Sequence, residues 1–478
     1  MFNQPPFSLK ARIQKNQSYS NTNFYDYIRV MREDMTRNLE RQDSAYLKLN
    51  SNALLGDPVS VSYFMNEIEK YQRTKLYSGE LPEVYQNRTE AIYQEWKGYG
   101  PAYKWFSDRS YSNSSGLQII GQQIFIKTKG SYKLFPHPMS SLERVEQLQR
   151  QILRNAPRIH VDAEHPSAEL NMNDPLWPGR FIRVAVWVPP RVWEGFTTIT
   201  MRRQIVEYLS LEDQEGTGAI PSEAISALKH LINTYRNTIV AGQVDSGKST
   251  FANTIVGEQL ESARQSTGVI MIEKHPESIL PYIVKGHRII PIIAQNEELM
   301  NVGIDSLRHD PNIIFMTEMR YHEWEFYNYS GEKGHDGLIG TYHTTDPEDI
   351  PYQGAFAVYT RQGGSLKGHL ISTLKACQLV FVMEPMKGGA KKLTKVSEIY
   401  YDPVKESVYA NDLMRWDKDQ SSWAYNDQFM SADLLEKMDR KNSEATKGLL
   451  SELTRLASIR RIQNPIKESM KAKMALKE

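Results

Sequence analysis

Residues 242–250 read Gly242-Gln243-Val244-Asp245-Ser246-Gly247-Lys248-Ser249-Thr250 and fit the pattern GxxxxGK(S/T) in full. Each residue type has a task in holding a phosphate chain. Gly242 and Gly247 let successive backbone N–H groups wrap an anion with no Cβ in the way. Ser246 belongs to the same loop, and Lys248 neutralises β and γ oxygens. The Ser249 hydroxyl holds Mg²⁺, and Thr250 follows it into a helix whose N-terminus adds partial positive charge. Asp245 is an acid inside this loop, so its side chain must point to solvent. The chemistry implied is binding of a nucleoside triphosphate, with ATP and Mg²⁺ as the expected ligands.

Further groups of chemical use follow downstream. Glu273 and Glu277, in Ile272-Glu273-Lys274-His275-Pro276-Glu277, stand where an apolar run ends, and can polarise water or hold a metal's hydration shell. Ile313–Met316 runs directly into Glu318, so a hydrophobic strand delivers a carboxylate to the γ-phosphate edge. Glu318 is the expected water-orienting acid. His335 and His343, in Gly334-His335-Asp336-Gly337-Leu338-Ile339-Gly340-Thr341-Tyr342-His343, offer neutral imidazoles that can donate to a phosphoryl oxygen.

The elements that must position these groups are short apolar runs alternating with helical patterns. Thr238–Ala241, Val269–Ile272, Ile289–Ala294, Ile313–Met316 and Leu338–Thr341 predict a parallel sheet. A hairpin follows, Leu379–Met383 and Thr394–Tyr400 around Lys387-Gly388-Gly389. Ser222–Asn237 predicts a helix ahead of the phosphate loop, and Phe251, Ala252, Ile255 and Val256 mark one side of the helix after it. Upstream, Leu117–Ile120 and Gln123–Ile126 predict strands about a Gly121 turn. Ser141–Leu153 predicts a helix capped by Ser140 or Ser141. Phe181–Val188 and Thr197–Met201 predict two more strands.

These segments together resemble the traffic ATPases of type II and type IV secretion systems, including pilus and conjugation motors, with the tight-adherence subgroup the nearest in pattern. Four boxes occur in the family's order: the phosphate loop, the Glu273–Glu277 box, Leu307-Arg308-His309-Asp310-Pro311-Asn312 through Glu318-Met319-Arg320, and the two-histidine box. Lys274, Asn312 and Thr317 replace the family's usual Asp, Asp and Gly. Arg320 matches the arginine closing the third box. Arg183 and Arg202, in 180–203, resemble arginines of the family's N-terminal domain that reach a nucleotide. The resemblance implies that Glu318, Glu273, His343 and Arg202 serve catalysis, with Glu277, His335, Arg320 and Arg183 supporting.

The resemblance covers residues 158–400 and implies an α/β architecture: a RecA-like P-loop NTPase core, a preceding α+β N-terminal domain, and helical termini. The expected division is 1–50 as a flexible or helical segment, 51–205 as the N-terminal domain, 206–430 as the ATPase domain and 431–478 as a basic, peripheral helical tail. The implied function is an ATP-hydrolysing motor of secretion, pilus assembly or conjugative transfer. A homo-oligomer, a hexamer, would dock on an inner-membrane platform protein. The alternatives are a nucleic-acid-stimulated phosphate-loop motor and a nucleotide-binding regulatory subunit with little turnover.

Composition narrows the field. Among 478 residues, 58 Lys plus Arg balance 57 Asp plus Glu, so no polybasic coat exists and nucleic acid is not expected as a direct ligand. Cys377 is the single cysteine, which excludes an internal disulfide and a four-cysteine zinc site and suits a reducing compartment. No apolar stretch approaches the ~18 residues of a membrane span, and Met1-Phe2-Asn3-Gln4-Pro5-Pro6 opens no secretory signal. The expected location is cytoplasmic, held at the membrane through a partner.

Overall fold

The computed structural model describes residues 23–39, 44–128, 131–154, 156, 159–174, 181–203, 208–276, 278–428 and 430–477. The chain divides into two compact units, Met1–Ile205 and Val206–Glu478.

In the first unit, β1 (Gly116–Ile120), β2 (Gln123–Thr128), β3 (Ser131–Leu134), β4 (Ser167–Asn173), β5 (Phe181–Trp187) and β6 (Thr198–Arg203) form one sheet in the order β3-β2-β1-β6-β5-β4. Every neighbouring pair is antiparallel. Residues alternate across such a strand, so Ile182, Val184, Val186, Ile199 and Met201 go to the buried face. Val145, Leu148 and Ile152 of the helix Leu142–Leu153 join the same core. Ser141 caps that helix by accepting from Arg144 N. Helices Phe24–Leu39, Ser44–Leu54, Pro58–Thr74 and Arg88–Trp96 supply aromatic side chains, among them Tyr27, Phe64 and Trp96.

The second unit carries β7 (Thr238–Gly242), β8 (Gly268–Glu273), β9 (Arg288–Ile293), β10 (Ile313–Met316), β11 (Leu338–Tyr342), β12 (Leu379–Pro385), β13 (Lys391–Asp402), β14 (Ser407–Asp417) and β15 (Ser422–Tyr425). Their order is β15-β14-β13-β12-β7-β11-β10-β8-β9. From β12 through β9 all neighbours are parallel, and β12 to β15 are antiparallel. Apolar clusters cover both faces, which is why β7, β8 and β10 read as unbroken apolar runs. The expected parallel sheet and the closing hairpin both form.

Two sequence expectations need correction. The helix before β7 ends at Ile232 rather than Asn237. Residues 233–237 make a connection in which Asn237 ties three strand starts together: Leu338 N donates to its Oδ1 at 3.0 Å, Leu379 N to its carbonyl at 3.0 Å, and its Nδ2 to His335 O at 3.3 Å. A helix would carry those polar groups away from the sheet. The C-terminal tail is also not peripheral. Its helix Ala432–Ile459, broken at Asn442, buries Leu434, Met438, Leu449, Leu453 and Leu456 in the core around β7. Leu449, Leu453 and Leu456 share one helical face, and the basic residues cover the other. Leu456→Ala is therefore expected to lower unfolding free energy by about 2–5 kcal/mol in chemical denaturation. An unchanged denaturation midpoint would mean the tail adds nothing to this core.

Candidate active site

β7 lies between β12 and β11, so the loop leaving its carboxyl end sits at the edge where parallel sheets bind ligands. Gly242 has φ 153°, and a Cβ there would stand 2.2 Å from Met383 O. Gly247, at φ 91°, opens the helix Lys248–Glu261. Asp245 adopts φ 61°, a left-handed conformation that Asp tolerates better than most residues. Its side chain is 81% exposed and pairs with Lys391 Nζ at 3.0 Å, so the carboxylate is turned outward. Ser246 Oγ is buried without a hydrogen-bond partner, which leaves a polar atom in the loop for a ligand oxygen. Ser249 and Thr250 are half-buried in the first turn of the helix.

Three loops converge on Lys248. Its Nζ donates to Gln243 O at 2.6 Å and lies 3.4 Å from His343 Nδ1. His343 immediately follows β11, and its Nε2 is 3.7 Å from Glu318 Oε1. Glu318 stands just beyond β10 and accepts from Arg320 Nη2 at 2.9 Å and Nε at 3.2 Å on the same oxygen. The β10 loop is pinned to β11: Thr341 Oγ1 donates to Thr317 O at 2.6 Å, and Met319 N to Thr341 O at 2.9 Å. Thr317, which stands where the resemblance expects glycine, takes part in that clamp through its carbonyl.

Protonation follows from this geometry. Burial pushes the Lys248 ammonium down to about 8, opposed by Glu318 and Asp245 and assisted by Lys391. Burial also lowers His343, with Lys248 and Arg320 adding to the effect and Glu318 opposing it. At pH 7 the imidazole is neutral. Lys248 has donors only, so Nδ1 accepts and Nε2 carries the proton toward Glu318. A proton at Nε2, an ammonium and a carboxylate thus meet at the carboxyl ends of three neighbouring strands.

The other expected residues are placed less uniformly. Glu273, 4% exposed at the end of β8, accepts from Ser278 N at 3.1 Å, and Ser278 Oγ donates to Asn253 Oδ1 at 2.9 Å. Glu273 thereby fastens the loop after β8 to the phosphate-loop helix. Glu277 lies outside the described residues. His335 stands apart from His343: it precedes β11, whereas His343 follows it. The five residues of that strand, at about 3.3 Å each, hold the two histidines some 16 Å or more apart along it. Arg183 and Arg202 belong to the first unit, directly opposite each other on β5 and β6. Arg202 is exposed, and Arg183 pairs with Glu169 at 2.9 Å. The adjacent Arg203 is instead buried on Asp174 and over the Trp105 ring. Sequence reasoning missed Lys391, which contacts the phosphate loop from β13.

The fold and the loop define a phosphate-loop nucleotide-binding core. No protein-family model matches the chain. Among curated proteins it is 24% identical over 269 residues to the type IV secretion system protein VirB11 of Bartonella henselae, spanning 47% of this chain and 72% of that one. The VirB11 protein of Bartonella quintana is 26% identical over the same lengths. The chain is similar to these type IV secretion proteins, which bears out the resemblance to secretion traffic ATPases. Solved structures similar to it include the VirB11 ATPase of Brucella suis, at 18% identity and TM-score 0.31, covering 63% of this chain and 96% of that one. The Legionella pneumophila ATPase DotB gives 16% and 0.46, covering 72% and 84%. The pilus retraction motor PilT gives 15% and 0.46, covering 78% and 96%.

Proposed function

We propose that this chain is the ATP-hydrolysing motor of a secretion, pilus-assembly or conjugative-transfer system, built on a RecA-like core. The observation that carries the reading is the line Lys248, His343, Glu318, whose successive gaps are 3.4 and 3.7 Å although the residues come from three separate loops. A nucleotide-binding turn alone would not require the other two.

In this account the loop N–H groups and the Ser246 hydroxyl hold the phosphate chain. Lys248 leaves Gln243 O for the β and γ oxygens. Ser249 would hold Mg²⁺, which would supply positive charge against the phosphate oxygens. Glu318 orients the attacking water, and His343 Nε2 donates to the transferring phosphoryl group. Arg320 restrains Glu318 through its paired hydrogen bonds. Glu273 holds the neighbouring loop in place. His343→Ala is expected to lower kcat by about 10–100-fold with little change in ATP affinity, because its contact strengthens as charge moves on the γ-phosphate. Stopped-flow nucleotide binding beside steady-state phosphate release checks this. An affinity loss with unchanged kcat would make the contact one of ground-state binding.

The working particle in this reading is a homo-oligomer, a ring of six, located in the cytoplasm against an inner-membrane platform protein. No helix among the described residues is long and apolar enough to cross a membrane. Arg202 supplies charge stabilisation at the nucleotide from a neighbouring subunit or its own. It is exposed, so Arg202→Ala should leave the fold intact while turnover falls about 100-fold. Mixing Arg202→Ala with Lys248→Ala subunits tests the shared-site version, because some mixed interfaces regain a complete site. Full activity from strict monomers at micromolar concentration with ATP and Mg²⁺ would overturn the ring.

A further inference from the structure

A cavity of about 560 Å³ opens at the start of β7 and β11, on the sheet edge opposite the phosphate loop. Its lining brings together Arg236, Lys375, Lys437, Arg440, Lys441 and His335, with Asp336 as the lining acid. The chain as a whole is nearly neutral, at +1, so this convergence is local. Arg236 is 2% exposed. Its Nε donates to Thr234 O at 3.0 Å, and its Nη2 faces Asp336 Oδ2 at 3.1 Å while making no hydrogen bond. Lys437 is held by Asp433 at 2.6 Å.

The cations are held in position by the fold. The helix Ala432–Ile459 breaks at Asn442, whose φ and ψ are −154° and 89°. Asn442 Nδ2 donates to Asn233 O at 3.1 Å, and its Oδ1 accepts from Ala445 N at 3.1 Å, starting the second half of the helix. Lys437, Arg440 and Lys441 thus occupy the last turns of the first half, facing the cavity. A helix C-terminus favours cations, which explains one or two of them. It does not explain why a buried arginine on the strand side and Lys375 from another helix meet them across a polar cavity. Asp336 offsets Arg236 and Asp433 offsets Lys437, and the like charges of Lys375, Arg440 and Lys441 that remain repel unless an anion lies between them.

We propose that this cavity binds a small soluble polyphosphate, a ligand carrying at least two linked phosphate groups. Arg236 forms its floor, and Lys375, Lys437, Arg440 and Lys441 its rim. The volume suits a molecule of nucleotide size. Burial lowers the pKa of His335, with Asp336 opposing, so at pH 7 it faces the cavity as a neutral imidazole rather than a further cation.

The test is calorimetric titration of inorganic tripolyphosphate into the full chain saturated with a non-hydrolysable ATP analogue and Mg²⁺, so that the phosphate loop is filled. The expected result is one further saturable site, weakened by added salt. Lys437→Gln/Arg440→Gln/Lys441→Gln should weaken it by about tenfold or more while leaving analogue binding unchanged. Arg236→Met should weaken it too, but the three rim changes are at the surface and do not depend on the core tolerating a substitution. Absence of a second site in the parent overturns the proposal, as does a site that the triple variant leaves intact. Binding of hexaglutamate or of phosphatidylglycerol vesicles through the same cations, without tripolyphosphate binding, also overturns it, in favour of an acidic segment or a membrane surface. Loss of analogue binding in the parent would instead count against the phosphate loop.

Discussion

Lys248→Ala is expected to lower ATP turnover by about 10³-fold or more while the protein remains folded. The lysine is the cation nearest the phosphate cradle, and Lys391 is engaged with Asp245 at the loop's outer side. Its removal should not harm stability. Burial depresses its folded pKa to about 8 from 10.5, so the folded state binds fewer protons than the unfolded chain between those values. Stability from this group therefore rises as pH rises through that window, and at pH 7 the buried charge is a cost to folding. The Tm of Lys248→Ala at pH 7 should equal or exceed the parent's. Nucleotide binding has the opposite sign: phosphate needs the ammonium, so ATP affinity of the parent should fall as pH rises past about 8. A variant with near-parental turnover would remove the phosphate loop from the chemistry. A variant that fails to fold would assign Lys248 a structural role that its contacts do not suggest.

Glu318→Gln should bind ATP with near-parental affinity and turn it over about 100-fold or more slowly. The amide preserves shape, and its oxygen can still accept from Arg320 and His343. What it lacks is the negative charge that holds a water in line. Isothermal binding and steady-state phosphate release on the same preparation separate the two effects. If Glu318→Gln hydrolyses ATP like the parent, the acid role passes to Glu273, whose carboxylate sits at the next strand end along the sheet.

Local signals made much of this legible. The phosphate loop is a contiguous motif, and β7, β8, β10 and β11 are buried on both faces, so each reads as an apolar run. Glu318 and His343 are visible because each stands within two residues of the end of its strand. Other features depend on distances in sequence that pattern cannot span. Lys391 meets Asp245 across 146 residues. The tail's apolar face, Leu449, Leu453 and Leu456, is diluted by the Lys and Arg of its outer face. The N-terminal aromatics, such as Tyr93 and Trp105, pack across helix, turn and sheet, so no single period marks them.

The central claim is hydrolysis, and the most direct measurement is steady-state phosphate release by the purified full-length protein with ATP and Mg²⁺, read beside equilibrium binding of a fluorescent ATP analogue. The account predicts saturable turnover that Lys248→Ala abolishes and that Glu318→Gln suppresses without loss of binding. Tight analogue binding by the parent with no phosphate release, in monomer and oligomer alike, would contradict it and make the chain a nucleotide-binding regulatory subunit.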